Sequence, residues 1–318
     1  MSQRLKGKNA LVTGSSLGIG KAIALALAAE GASVVVNSSG SGPKGPGTDL
    51  KPLNDVVDEI KCKGGVAIAS CGSVADFAYA GRLIKTCVDN FGRIDILVNC
   101  AGIGEMGSML DVPLEVWHHV IDVHLNGTFN CCRHACPLMA QQRSGRIMNV
   151  GSHAFLGIYG GTGYAAAKGG IISLTWAIAK DMRECGVTCN AFCPGAKTRL
   201  SSGQWYEEHI RALHSRGLLT EAQKNYSLNP PDPELVPPLV LYLATDEAAN
   251  ITGQVFTVAG GHVGLFPEPK EVSLIYKNYK KYGPWTIDEI AKLLPSKLGM
   301  YLVNPPPATP PDEKTDQQ

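Results

Sequence analysis

Tyr164 and Lys168 stand four residues apart in "GTGYAAAKGG", inside a stretch with helical patterning, so their side chains share one face. A free phenol has a pKa of about 10, too high for a base at neutral pH. A neighbouring ammonium favours the phenolate. Bringing the phenol toward neutrality takes about 3–4 kcal/mol of differential interaction, which positive charge in a dry site can supply. Ser152 lies twelve residues earlier, at the end of the apolar stretch "GRIMNVGS". Its hydroxyl can bond the same substrate oxygen that the phenol protonates or deprotonates. Taken alone, the Tyr–Lys pair reads equally well as two surface side chains of a helix.

A second chemical signal is "TGSSLGIG", Thr13 to Gly20, between an apolar run and a helical pattern. Gly14, Gly18 and Gly20 let the backbone turn sharply and approach a ligand, while Ser16, Leu17 and Ile19 complete the turn. A helix N-terminus there offers free N–H groups and a positive dipole end to a diphosphate. The spacing is G-x-x-x-G-x-G rather than the commoner G-x-G-x-x-G. A plain tight turn is the alternative, although three glycines in seven residues exceed what a turn needs.

Both signals need elements to hold them. Short β-branched runs, "NALVTG", "SVVVN", "VAIAS", "IDILVN", "GRIMNVGS", "VTCNAFCPG" and "QVFTVAGG", alternate with amphipathic stretches. The predicted fold is α/β: one Rossmann-like, doubly wound parallel sheet with helices on both faces, plus a helical C-terminal extension. The expected division is a catalytic domain over 1–262, the extension over 263–304, and a Pro-rich, disordered tail over 305–318. The 318 residues are 44% apolar and 18% charged with net charge +1, which gives no reason to expect nucleic acid or a membrane as partner. No signal-peptide run opens the chain and no run of about 18 apolar residues exists. Ten scattered cysteines read as reduced thiols and a cytoplasmic location, with no metal expected.

Together these stretches resemble the short-chain dehydrogenase/reductase family over residues 5 to about 262. The matching residues are Thr13-Gly14…Gly18-Ile19-Gly20, Asn99-Cys100-Ala101-Gly102, Ser152, Tyr164…Lys168 and Pro194-Gly195…Thr198, in family order and spacing. The resemblance implies a nicotinamide cofactor and alcohol–ketone hydride transfer on a small-molecule substrate. It implies Tyr164 as proton donor or acceptor and Ser152 as orienter. It gives Lys168 the lowering of the phenol pKa and the nicotinamide ribose. Asn99, Ala101 and Gly102 carry the ribose and the turn, and Pro194, Gly195 and Thr198 meet the nicotinamide end or the diphosphate. Ser73 and Val74 fall on the adenine side, with Gly72 in place of the usual Asp. The wider loop and "GIYG" before the tyrosine look like the (R)-3-hydroxyacyl-CoA dehydrogenase modules of peroxisomal multifunctional enzymes.

Two positions depart from the family. Aligned on Gly127, the family's fourth catalytic residue, an Asn, is His124 here. A neutral imidazole can donate and accept, so it could carry the proton relay and add an ionisation near pH 6.5; the alternative is a helix-packing histidine. At the end of the second strand, Ser38 and Ser39 replace the acid that grips the ribose 2′-OH. With Lys44 on the same loop, this favours NADP(H), while NAD(H) stays possible. Leu200 to Pro231, with Met106, Phe155 and Tyr159, is expected to form an apolar lid, Trp205 and Tyr206 serving as lining or as lid packing. That favours a bulky polycyclic ketone, steroid- or polyphenol-like, with a 3-oxoacyl thioester as the alternative. A non-catalytic NADP-binding sensor is the remote reading. Apolar helices after Gly127 and around Tyr164, with the extension, imply a homo-oligomer, dimer or tetramer.

Overall fold

The computed structural model describes residues 3–40 and 49–302, and for Leu200 and Trp205 the backbone alone. Lys44 and the tail from 305 onward therefore lie outside the described residues. Eight strands form one sheet in the order β3-β2-β1-β4-β5-β6-β7-β8. They are β1 Asn9–Val12, β2 Ser33–Ser38, β3 Val66–Cys71, β4 Ile96–Asn99, β5 Gly145–Val150, β6 Val187–Pro194, β7 Val255–Ala259 and β8 His262–Phe266. The first seven run parallel, and β8 returns antiparallel to β7. The sheet thus continues past the expected boundary at 262 before the extension begins.

Every residue of β1 and β4 is buried. Strands covered on both faces can be uninterrupted apolar runs, which is why no two-residue alternation marks them in the sequence. One face packs against α1 (Gly18–Ala29), α2 (Lys51–Cys62) and α9 (Pro237–Ala244) through Ile23, Leu27, Val56, Ile60 and Val240. The other packs against α3 (Phe77–Phe91) and α5 (Gly127–Gln142) through Leu83, Ile84, Cys131 and Met139. Each such side chain contributes roughly 1.5–3 kcal/mol by leaving water.

The strand order reverses at β1, between β2 and β4, and the crevice beyond the carboxyl ends of these strands is the switch point where α/β sheets bind ligands. Four further elements reach that end. A single π-helical turn, Asp122–Asn126, joins α4 (Leu114–Ile121) to α5. The long α6 (Thr162–Asp181) follows β5, and α7 (Gln204–Ser215) and α8 (Glu221–Leu228) follow β6. The extension holds a four-residue α10 (Tyr279–Tyr282) and α11 (Ile287–Lys297), linked by Lys277, whose Nζ lies 2.6 Å from Glu289 and 5.5 Å from the Trp285 ring centre.

Candidate active site

The glycine turn forms as its spacing requires. Gly14 and Gly18 adopt φ of +62° and +55°, the left-handed region that favours glycine. A Cβ on Gly14 would come within 2.6 Å of Ala101 Cα, and one on Gly20 would collide with the Gly14 carbonyl oxygen. α1 then starts at Gly18 with no side-chain cap on Leu17 and no acid in its first turn, so its leading N–H groups face the crevice uncompensated. The methyl of Thr198 sits 3.5 Å from the place of a Gly18 Cβ, closing the cradle from the β6 side. A bare backbone with free N–H groups at the switch point fits a dinucleotide diphosphate.

Thr13 and Asn99 act beneath this turn. Thr13 Oγ1 accepts from the N–H groups of Cys100 (3.0 Å) and Ala101 (3.1 Å), fixing the turn after β4 to the end of β1. Asn99 turns its amide inward, donating to Asn149 Oδ1 at 2.9 Å. The Asn99 side chain, expected to reach a ribose, is therefore engaged inside the sheet.

Ser152, Tyr164 and Lys168 converge, although they come from the end of β5 and from the first two turns of α6. The Ser152 hydroxyl and the Tyr164 phenol are hydrogen-bonded, and Ser152 also accepts from the Ala154 N–H at 3.2 Å. Lys168, 3% exposed, donates to the Val150 carbonyl at 2.7 Å and lies 5.5 Å from the Tyr164 ring centre. Burial pushes the Lys168 ammonium down to about 8. Burial also raises the phenol, and the Ser152 bond opposes that rise only in part. The protein's own groups thus do not produce the lowered phenol pKa expected of Lys168, because loss of hydration outweighs them.

His124 occupies the π-helical turn, 1% exposed. Its Nε2 lies 3.1 Å from the Ile103 N–H and 3.0 Å from the Ile103 carbonyl, and its ring meets Tyr164 edge-on at 5.1 Å. Gly102 makes room for it, since a Cβ there would come within 2.5 Å of His124 Cε1. Nδ1 is buried with no partner among the described residues. Burial, reinforced by Lys168, pushes this imidazole down to about 3. The expected ionisation near 6.5 is therefore corrected: the ring is neutral throughout the working range.

At the nucleotide end, Ser38 Oγ lies 3.1 Å from Ser16 Oγ and accepts from the Gly40 N–H at 3.2 Å, with Ser39 following it. Gly72 has no room for a side chain because the Tyr79 ring fills that space. Ser73 Oγ accepts from the Ala75 N–H at 3.3 Å, and Val74 is buried, its carbonyl bonded by Asn130. Sequence reasoning missed Asn37 and Tyr79 here. The signal was a single amide inside the buried run "SVVVNS".

On the substrate side, the Gly107 N–H donates to the Gly160 carbonyl at 2.8 Å and the Gly107 carbonyl accepts from the Thr162 N–H at 3.2 Å, which ties the 102–112 loop to the start of α6, and Met106 sits beside Gly161. Phe155 does not line the crevice: it packs edge-on to Phe266 of β8 at 5.0 Å. Tyr159 is exposed. α7 and α8, in the stretch where a lid was expected, pack against the loop that follows β6. The Tyr226 hydroxyl rests on Gly195, the Lys197 N–H beyond Pro194 bonds the Pro231 carbonyl at 2.7 Å, and Tyr206 bonds Ser227 between the two helices. No helix among the described residues is long and apolar enough to cross a membrane.

A doubly wound sheet with a glycine cradle at its switch point and a Ser–Tyr–Lys set beside it defines a nicotinamide-dependent oxidoreductase. Residues 8–205 match the short chain dehydrogenase family, and the chain belongs to it. It is 42% identical over 262 residues to a 3-oxoacyl-(acyl-carrier-protein) reductase of Synechocystis sp., covering 81% of this chain and 98% of that protein. It is 34% identical over 291 residues to the peroxisomal hydratase-dehydrogenase-epimerase of Neurospora crassa, covering 89% of this chain but 30% of that longer protein. The crystal structure of a short chain dehydrogenase from Mycobacterium avium matches with a TM-score of 0.77 and 36% identity, over 93% of this chain and 95% of that one.

Proposed function

We propose that this chain interconverts a 3-oxoacyl thioester and its 3-hydroxyacyl counterpart with a nicotinamide dinucleotide. The observation that carries the reaction is the Ser152–Tyr164 hydrogen bond beside the buried Lys168. The thioester class is supported by the 42% identity to a protein named as a 3-oxoacyl reductase. The polycyclic ketone favoured by the lid's aromatic content gives way to it. Phe155 is turned onto β8, and the remaining apolar surface is a loop rim able to lie along an acyl chain.

In reduction, the Tyr164 phenol donates its proton to the carbonyl oxygen while Ser152 holds that oxygen by a second hydrogen bond. In oxidation, the phenolate takes the alcohol proton. A bound dinucleotide supplies the hydride or accepts it, and its oxidised ring adds the positive charge that favours phenolate. Lys168, already down at about 8, passes protons more readily than an ordinary lysine. NADP(H) is the favoured form, because Ser16 and Ser38 present hydroxyls where an acid would repel a 2′-phosphate. A homo-oligomer in the cytosol is the accompanying reading. Its supports are the exposed apolar residues of the extension, such as Tyr276 and Ile287, and ten free cysteines.

The test is oxidation of NADPH and of NADH, followed by absorbance, with acetoacetyl-CoA, longer 3-oxoacyl thioesters and a panel of polycyclic ketones. Turnover of thioesters above the ketones is the expected result. Preference for the polycyclic ketones overturns the substrate class, and tight nucleotide binding without any turnover revives the sensor.

A further inference from the structure

We infer that Asn37, braced by Tyr79, is a positioning residue that sets the shape of the adenosine end of the cofactor cleft; this rests on the dinucleotide reading above. Asn37 is 1% exposed at the end of β2, flanked on one side by the glycine turn and on the other by the turn after β3. Its Oδ1 accepts from the Gly14 N–H at 3.4 Å. Its Nδ2 lies 3.1 Å from the Ser70 carbonyl, 3.2 Å from the Gly72 carbonyl and 3.1 Å from the Tyr79 hydroxyl. Its backbone N–H donates to Ser15 Oγ at 3.0 Å, and its carbonyl accepts from the Ser15 N–H at 2.8 Å. Only one orientation of the amide satisfies these partners, since Gly14 offers a donor and Ser70 and Gly72 offer acceptors.

The result is a tie between two loops that never touch in sequence. The Tyr79 hydroxyl extends it to Ser70 Oγ at 2.8 Å, and its ring fills the space that a side chain on Gly72 would need. Ser38, next along β2, accepts the Gly72 N–H on its carbonyl at 2.9 Å and meets Ser16 through its hydroxyl. The walls on either side of Ser38 are thus held at a fixed separation by Asn37. A carboxylate of the same shape would face two carbonyl oxygens and lose both donors.

The test uses the full chain and calorimetric binding of ADP-ribose, NADPH and NADH, with circular dichroism as a check on the fold. Asn37→Asp is expected to weaken ADP-ribose and dinucleotide binding by about tenfold or more, and Tyr79→Phe, which keeps the ring, by about threefold. The dinucleotide KM should rise in parallel, by a larger factor than kcat falls at saturation. Should Asn37→Asp fail to fold, Tyr79→Phe decides alone. Unchanged ADP-ribose binding in a folded variant overturns the inference, as does a loss confined to kcat. Absence of nucleotide binding by the wild type would instead sink the dinucleotide reading on which it rests.

Discussion

The two sides of the crevice are built by different rules. On the nucleotide side, the loops after β1, β2 and β3 are joined by a buried polar network, from Gly14 through Asn37 to Tyr79 and Ser70. On the substrate side, the loops around 102–112 and 156–161 leave apolar side chains in water: Leu110 is 97% exposed, and Met109 and Leu156 are exposed as well. A hydrogen-bonded wall suits a ligand whose polar groups are always the same, because each buried partner must be matched. An apolar rim suits a substrate of variable length, because apolar contact needs no register. The Ser152, Tyr164 and Lys168 side chains stand between them, with His124 edge-on to Tyr164 and bonded to the Ile103 backbone at the start of the 102–112 loop.

If catalysis belongs to neither wall, Tyr164→Phe should lower turnover at least about 10²–10⁴-fold while leaving dinucleotide affinity nearly unchanged. Kinetics with calorimetry on the same variant checks this, and more than a tenth of wild-type activity would remove Tyr164 from its role.

Behind both walls the body of the fold buries several of the thiols. Burial raises seven, on α3, α5 and β6 and just after β4: Cys87 and Cys131 to about 12, Cys100, Cys136 and Cys193 to about 11, and Cys132 and Cys189 in the same direction. In the unfolded chain these thiols ionise near 9. The unfolded state therefore holds fewer protons between about 9 and 11–12, and stability falls as pH rises through that window. Each thiol can contribute up to about 1.4 kcal/mol per pH unit. Lys168, lowered to about 8 from 10.5, opposes them between those values as a single group. Unfolding free energies from urea titrations in reductant should fall by several kcal/mol in all from pH 8 to 10; a flat profile would contradict the burial of these thiols.

His124→Leu removes the acceptor of the Ile103 N–H and should lower kcat about tenfold to a hundredfold, with the fold intact by circular dichroism. The wild-type pH–rate profile should show no break near 6.5, given an imidazole at about 3. A break there that disappears in His124→Asn would restore the proton-relay role.

A smaller effect than that of His124→Leu is expected of Ser38→Asp. A carboxylate beside Ser16 repels a 2′-phosphate and accepts from a free ribose diol, so the NADPH-to-NADH ratio of kcat/KM should fall about tenfold. An unchanged ratio would mean that the 2′ position is read elsewhere on the loop.

The sequence by itself determined what depends on local backbone chemistry and periodicity. Glycines at 14, 18 and 20 between an apolar run and a helical pattern marked a tight strand-to-helix turn, and their number favoured a close-approach one. The β-branched runs could only be covered strands, and Tyr164 and Lys168 had to share a helix face. Tertiary structure decided what depends on residues far apart in the chain. It turned Asn99 inward, sent Phe155 to β8, ran the sheet on past residue 262 and filled the space beside Gly72 with Tyr79. It also decided protonation. Whether His124 titrates near 6.5 or near 3 depends on how much water its ring keeps, and that is set by Gly102, Ile103, Lys168 and Tyr164, which only the folded chain brings around it.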